Sequence, residues 1–428
     1  MSRRERGVFR ALRNRNFRIW SAGALVSNLG AWMQRIAQDW LILTQLTHHD
    51  ARAVGVVTAL QFAPQVLLVA WTGSAADHLD RRRLLMVTQT LMGALALGLG
   101  LLTLTGVVWA WHVYTFAFLL GCVAAFDAPA RQTFVADMVG EDDLSNAVAL
   151  NSTSFNASRL IGPAISGLVI AAVGSGWTFV INAASFVAVL ASLLLMRPGA
   201  LHPPDRTARR SGGFMEALRY VGGRPDLRAL LVMLFLFGSL GLNFPVFISS
   251  MAVTVFHVGA QGFGLLTSAM AVGTVTGALL AARRERPAVP LIVGGAALFG
   301  VGYTLAALAP SYVLFGVTLA LVGVASQMVT TPTISLVQMT TEPAMRGRVV
   351  ALLMTIALGG QPIGAPLVGW IAHTFGPRWA VAVGALAGFL TAGVGLRYLV
   401  RHRRLRVQVV SRRLHFSCDS GDPLTRQG

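Results

Sequence analysis

Lysine is missing from this 428-residue chain, so the 35 basic residues are all arginine. A phosphate-binding glycine loop uses a lysine to reach the terminal phosphates, and its absence excludes an ATP-driven machine of that type. Cysteine is nearly missing. Cys122 falls in an apolar run and Cys418 in the polar tail, so no disulfide framework is indicated. His48 and His49 adjoin in a short loop, too small a ligand set for a metal. With no catalytic set in view, neither an enzyme nor a cofactor is expected. Charge is scarce as well, at 12% of residues, where a soluble domain carries about 25%.

What fills the chain is apolar: 54% hydrophobic residues and a mean hydropathy of +0.64. Apolar runs of about twenty residues recur, each long enough to cross a bilayer. Twelve spans can be laid out, over 18–44, 54–76, 84–106, 110–128, 146–173, 177–196, 228–252, 262–283, 289–309, 312–338, 348–373 and 378–400. The first is too long and too polar for a signal-peptide core and is expected to stay in the protein. Its connections alternate between an Arg-rich set and a set with almost no Arg. The positive-inside rule then places both termini in the cytoplasm of a bacterial inner membrane. That accounts for the net charge of +18 without nucleic acid. The organisation expected is an N-terminal segment (1–17), a six-helix bundle (18–196), a cytoplasmic loop (197–227), a second bundle (228–400) and a basic tail (401–428). Within the loop, FMEALRYV (214–221) reads as a short amphipathic helix on the membrane surface.

The halves repeat. Ile161, Gly162, Gly167, Gly174 and Trp177 match Ile363, Gly364, Gly369, Gly376 and Trp379 at an offset of 202, and Ala149-Leu150 matches Ala351-Leu352. GVVT (55–58) echoes GLLT (264–267). A repeat of six spans is a parallel one, giving two bundles around a central pathway.

Between spans 2 and 3 stands GSAADHLDRRR (73–83). It resembles the signature loop of the major facilitator superfamily, with Gly73, Asp77, Arg81 and Arg82 at the recurring positions. His78 and Asp80 stand where that family usually has Arg and Gly. PARQTFVADMVGEDDLSNAVALN (129–151) and RLIGPAISG (159–167) resemble the branch of bacterial exporters that includes the enterobactin exporter. The resemblance implies an all-α fold of two pseudosymmetric six-helix bundles. On physical grounds, topology needs Arg but not Asp. Asp77 is therefore expected to face the start of span 11, where Arg346 and Arg348 lie, as a latch that pairs and unpairs while the bundles rock.

Ionisable residues inside a span are costly and are functional candidates. Arg35 and Asp39 are four apart on one face of span 1, continued by Trp32, Asn28 and Ser21. Arg159 lies about 20 Å into span 5; Asp39 is expected to pair with Arg35 or with Arg159, and Arg159 is otherwise placed to meet an anionic substrate. Gly162, Pro163 and Gly167 weaken span 5, and GGQPIGAP (359–366), with Pro362 and Pro366, bends span 11. Gln327, Thr330, Thr331 and Gln338 on span 10, Gln361 and His373 on span 11, and Phe237, Asn243 and Phe244 on span 7 are further pathway candidates. The resemblance implies that spans 1, 4, 7 and 10 line the cavity. Asp127, with Pro129 and Arg131, reads instead as a structural turn or second latch at the end of span 4. The expected function is secondary transport by alternating access, exporting small drug-like or siderophore-like molecules against inward proton movement. A monomer in the lipid bilayer suffices for it. Uptake of a polar nutrient and a non-transporting membrane sensor or assembly partner are the alternatives.

Overall fold

The computed structural model describes residues 9–69, 71–72, 79–201, 214–283, 288–403, 406–410 and 413–417. Gly73, Asp77 and His78 of the loop motif, and Cys418, lie outside the described residues. Ten helices among those described are long and apolar enough to cross a membrane. Two shorter or more polar ones complete the set, α1 (Arg15–Trp40) and α2 (Ala51–Leu67). The first half continues with α3 (Arg81–Leu104), α4 (Ala110–Met138), α5 (Glu141–Val173) and α6 (Ser175–Leu195). The second holds α7 (Pro225–Val255), α8 (Ala260–Ala282), α9 (Val289–Leu308), α10 (Tyr312–Thr340), α11 (Pro343–Gly359 and Gln361–Thr374) and α12 (Pro377–Arg403). A surface helix, Phe214–Gly222, precedes α7. After α12, β1 (Arg406–Val410) and β2 (Arg413–Ser417) form an antiparallel hairpin with Arg406 opposite Ser417, where the sequence suggested only a polar tail.

Helices α4 and α5 run ten and five residues past the apolar runs that announce them, and on α4 the added turns, though polar, are packed. Phe134, Val135 and Met138 are buried there against Phe17 and Trp20 of α1. Asn14 caps α1, accepting from Phe17 N and donating to Met138 O at 2.7 Å. Asn16 exchanges two hydrogen bonds of 3.0 Å with the backbone of Arg197. At the opposite, Arg-poor end, Gly174 and Gly376 turn the chain with φ of +89° and +101°. These repeat-related positions need the left-handed backbone that glycine adopts freely. Trp109, Trp111, Trp177 and Trp379 are exposed at the same end, an aromatic belt of the kind found at a membrane surface.

The repeat reappears in the packing between halves, where α2 meets α11 and α5 meets α8. A Cβ on Gly55 would strike Ala365 O, and one on Gly264 would strike Pro163 O. Likewise Gly369 lies against Ala51 O and Gly167 against Ala260 O. Each pair maps onto the other by the sequence repeat. Small residues let the backbones close in, and all four contacts lie in the Arg-poor half. Toward the Arg-rich end the packing loosens to a side-chain contact, with Val66 3.5 Å from a Cβ built on Gly359.

Candidate transport cavity

A cavity of about 360 Å³ lies between the two halves, on the Arg-rich side of those close contacts. It is lined from α1 (Trp32, Arg35, Ile36, Asp39), α2 (Thr58, Gln61, Phe62), α5 (Phe155, Arg159) and α7 (Leu242, Phe244, Pro245, Ile248). Its other side is built from α8 (Phe263, Thr267, Met270, Ala271), α10 (Ser326, Gln327, Thr330) and α11 (Gln361). No α4 residue is among this lining, which corrects the expectation for span 4; α2, α5, α8 and α11 supply walls instead.

Two of the walls are irregular helices. Helix α7 widens into a π turn at Phe237–Gly241 and leaves helical geometry at Asn243, whose Nδ2 donates to Ser239 O at 2.6 Å. Helix α11 is irregular for one residue at Gly360, whose backbone stays helical (φ −69°, ψ −33°) with its N–H donating to Ile356 O at 3.2 Å. The irregular stretches pack together, with Gly360 so close that an added Cβ would stand 2.6 Å from Ser239 N. Gln361 Nε2 donates to Leu242 O at 3.4 Å, across the two stretches. Freed backbone such as that of α7 is tolerated at membrane depth where it lines a cavity. Gln327 accepts from Thr331 at 3.1 Å and from Thr330 at 3.4 Å.

The three charged groups sit around one aromatic wall. The Arg35 guanidinium carbon lies 5.1 Å from the Trp32 ring centroid and 5.8 Å from that of Phe62. Arg159 lies 5.7 Å from the Trp32 ring. These are cation–π distances. Neither arginine comes within 4.0 Å of a carboxylate oxygen among the described residues; Arg35 and Asp39 interact through charge at longer range. Asp39 is buried at 6% exposure, and its carboxylate accepts no hydrogen bond from the described residues.

Other sequence candidates stand elsewhere. Asn28 accepts from Arg131 Nη1 at 3.3 Å, away from the cavity lining. Phe237 is fully buried against Phe299, ring centroids 4.5 Å apart, and Gln338 is exposed at the Arg-rich end of α10. His373 is at the Arg-poor surface, its Nδ1 3.2 Å from Asp50 Oδ1. Asp50 also binds Arg52 at 2.8 Å. Burial pushes the Asp50 carboxyl up, but the hydrogen bonds from Arg52 and the charge of His373 outweigh it and hold it below the usual carboxylate range. This contact joins the two halves, and no local pattern announces it because Asp50 and His373 are 323 residues apart.

At the Arg-rich end, Arg81 pairs with Asp137 at 2.6 Å and Arg82 donates to Leu193 O at 2.9 Å. Arg348 pairs with Glu216 of the surface helix at 2.8 Å, while Arg346 is exposed. Each of these contacts stays within its own half. Asp127 is a structural carboxylate. It accepts from Thr88 (2.7 Å), Gln89 (2.6 Å) and Arg131 (3.1 Å). Gly162 lets α5 approach the Trp32 side chain.

Twelve helices in two repeat-related halves around a central cavity are the architecture of a major facilitator transporter. The same fold appears in a bacterial homologue of the human lysosomal transporter Spinster in an inward-facing, occupied conformation. That likeness has a TM-score of 0.72 at 15% identity, over 90% of this chain and 97% of that one. A D-xylose–proton symporter matches with a TM-score of 0.71 at 13% identity, over 89% and 97%. The family of transmembrane secretion effectors matches residues 6–418, and the chain belongs to it, a transporter rather than an enzyme. Among its relatives are the staphyloferrin A transporter of Staphylococcus aureus (26% identical; 89% of this chain, 95% of that one) and the multidrug efflux pump Tap of Mycolicibacterium fortuitum (28%; 89% and 95%). The enterobactin exporter EntS of Citrobacter koseri is 25% identical, over 85% and 86%.

Proposed function

We propose that this protein exports small amphipathic molecules across the bacterial plasma membrane by alternating access, with protons as the coupling ion and Asp39 as the group that carries them. The reading rests on one observation above all, a cavity between the repeat halves whose walls carry eleven apolar or aromatic side chains against seven neutral polar and only three charged ones. Relatives named for siderophore and multidrug export support the direction. A polar nutrient would call for walls dense in hydrogen-bonding groups.

The bundles 18–196 and 228–400 are the rocking units, with both termini cytoplasmic by the positive-inside rule. In that orientation the glycine contacts seal the outer side and the cavity faces inward. Gly73 and Asp77, together with Arg346 and Arg348, would close the inner side in the opposite state. Asp39 suits a proton carrier because it is buried and makes no ion-pair contact among the described residues, so access from either side changes its surroundings without a contact pair to break.

Inverted membrane vesicles holding a proton gradient, reported by a pH-sensitive dye, provide the test. A panel of siderophores and drugs should contain a compound that dissipates the gradient with the wild type but not with Asp39→Asn. A response that survives the substitution removes Asp39 from the path. No response to any compound by folded protein removes proton-coupled export.

A further inference from the structure

Several arginines in the spans and their flanks are anchored by hydrogen bonds. Arg81 is held by Asp137, Arg82 by the Leu193 carbonyl, Arg131 by Asp127 and Asn28, and Arg378 by the carbonyls of Ala307 and Ala309 at 2.7 and 3.0 Å. Arg35 and Arg159 donate to no acceptor among the described residues. Aromatic rings stand over both, and Asp39 acts on Arg35 through charge alone, beyond ion-pair contact. A guanidinium carries five N–H donors in a rigid fork; with Arg35 exposed and Arg159 half-buried, these donors stand open to a ligand. Both forks border the same cavity.

The charge count in the cavity points the same way. Two guanidiniums face one carboxylate, Asp39, and no other acidic or basic side chain is among the lining. With Asp39 ionised, one positive charge remains uncompensated, and a monoanion would leave the loaded cavity neutral. A cation would meet an excess of like charge instead. Around the arginines, Trp32, Phe62 and Phe155 present aromatic faces, Phe155 being 46% exposed and ringed at 5.9 Å by Trp32. They suit a flat apolar body beside the anionic group.

We propose that the substrate class is an organic anion with an aromatic or similarly apolar body, its carboxylate or other planar oxyanion received by Arg159 and Arg35. The assignment rests on the transport reading above and narrows it: of the drug-like and siderophore-like molecules considered there, the cavity selects the anionic ones. Arg159 is the principal receiver, since Arg35 shares its helical face with Asp39 and is the nearer to being compensated.

The test is a binding measurement on the full-length protein in lipid nanodiscs, using three probes of one shape: 1-naphthaleneacetate, its neutral amide, and the 1-naphthylethylammonium cation. Charge-assisted, forked hydrogen bonds of this kind are worth roughly ten-fold or more in affinity. The anion should therefore bind at least about ten-fold more tightly than the amide or the cation. Arg159→Gln should cost the anion roughly ten-fold while leaving the amide unchanged, and Arg159→Lys should keep part of the preference. Monodisperse elution and an unaltered melting temperature would show that the variants are folded. Equal affinity for the three probes, absence of anion binding at millimolar concentration, or an anion affinity indifferent to Arg159→Gln would overturn the assignment. The experiment is independent of transport. Anion-selective binding without flux would keep this inference and remove the export reading, and export with no preference for anions would do the reverse.

Discussion

Asp39 and Asp127 are both carboxylates buried in spans, and the difference between them lies in what reaches their oxygens. Asp127 is saturated by a hydroxyl, an amide and a guanidinium. Its partners come from α3 and from its own helix one turn on, so it ties α3 to α4 and, through Arg131 and Asn28, both to α1. Breaking such a buried pair by removing one charge costs about 3–5 kcal/mol, because the other charge is left behind. Asp127→Asn should therefore lower the melting temperature and the yield of monodisperse protein, measured by thermal unfolding in detergent. An unchanged melting temperature would refute the structural role. Asp39→Asn should leave the melting temperature alone, since no described group donates to that carboxylate. Sequence could flag both residues by the cost of a charge in a span. It could not separate them, because the donors to Asp127 on α3 lie 38 and 39 residues away and carry no pattern. The same limit explains Asn28, which shares a helical face with Arg35 yet is claimed by Arg131.

The helices themselves were largely readable from hydropathy, and their number and order follow from it. Their ends were not, where polar residues stay helical by packing, as in α4 through Phe134 and Met138. The irregular stretches of α7 and α11 differ in the same respect. GGQPIGAP announces that of α11, whereas α7 opens at Phe237–Gly241 beneath an apolar run in which only Gly238, Gly241 and Pro245 hint at it. Most informative was the repeat, because it foretold which glycines matter. Gly55 and Gly264 take equivalent places against α11 and α5, and a side chain at either must push the backbones apart. Gly55→Leu and Gly264→Leu should each weaken the seal at the Arg-poor end to a similar degree. Double electron–electron resonance between spin labels on the loops joining α1 to α2 and α11 to α12 would read this as a longer, broader distance. Gly393, which has open space around it, should accept Leu without moving that distance. If all three variants behaved alike, glycine packing would not be what closes this end.

At the scale of the whole molecule, the two halves touch closely at one end and carry the charged cavity just beyond it, and transport requires that end to open. Besides the glycines, the contact of His373 with Asp50, whose carboxylate Arg52 also holds, spans it and is an ion pair only while the imidazole is protonated. Because the Asp50 carboxyl is held below the usual carboxylate range, it is ionised at neutral pH. The carboxylate side of that contact is present above the usual carboxylate range and is lost only as pH falls through its lowered value. Mild acidification thus leaves the Asp50 charge in place, and opening must come from the movement of the halves. Cysteines at these two positions can arrest that movement. In a background of Cys122→Ser and Cys418→Ser, the pair Asp50→Cys and His373→Cys, joined by a short bifunctional methanethiosulfonate, should abolish substrate flux and regain it on reduction. The control is either single cysteine with the same reagent, which should keep its flux. Loss of flux in the joined pair alone would mean that the Arg-poor end has to part in every cycle. Full flux through a completely joined pair would mean that this end never opens, and the rocking of two rigid halves about the cavity would have to be abandoned.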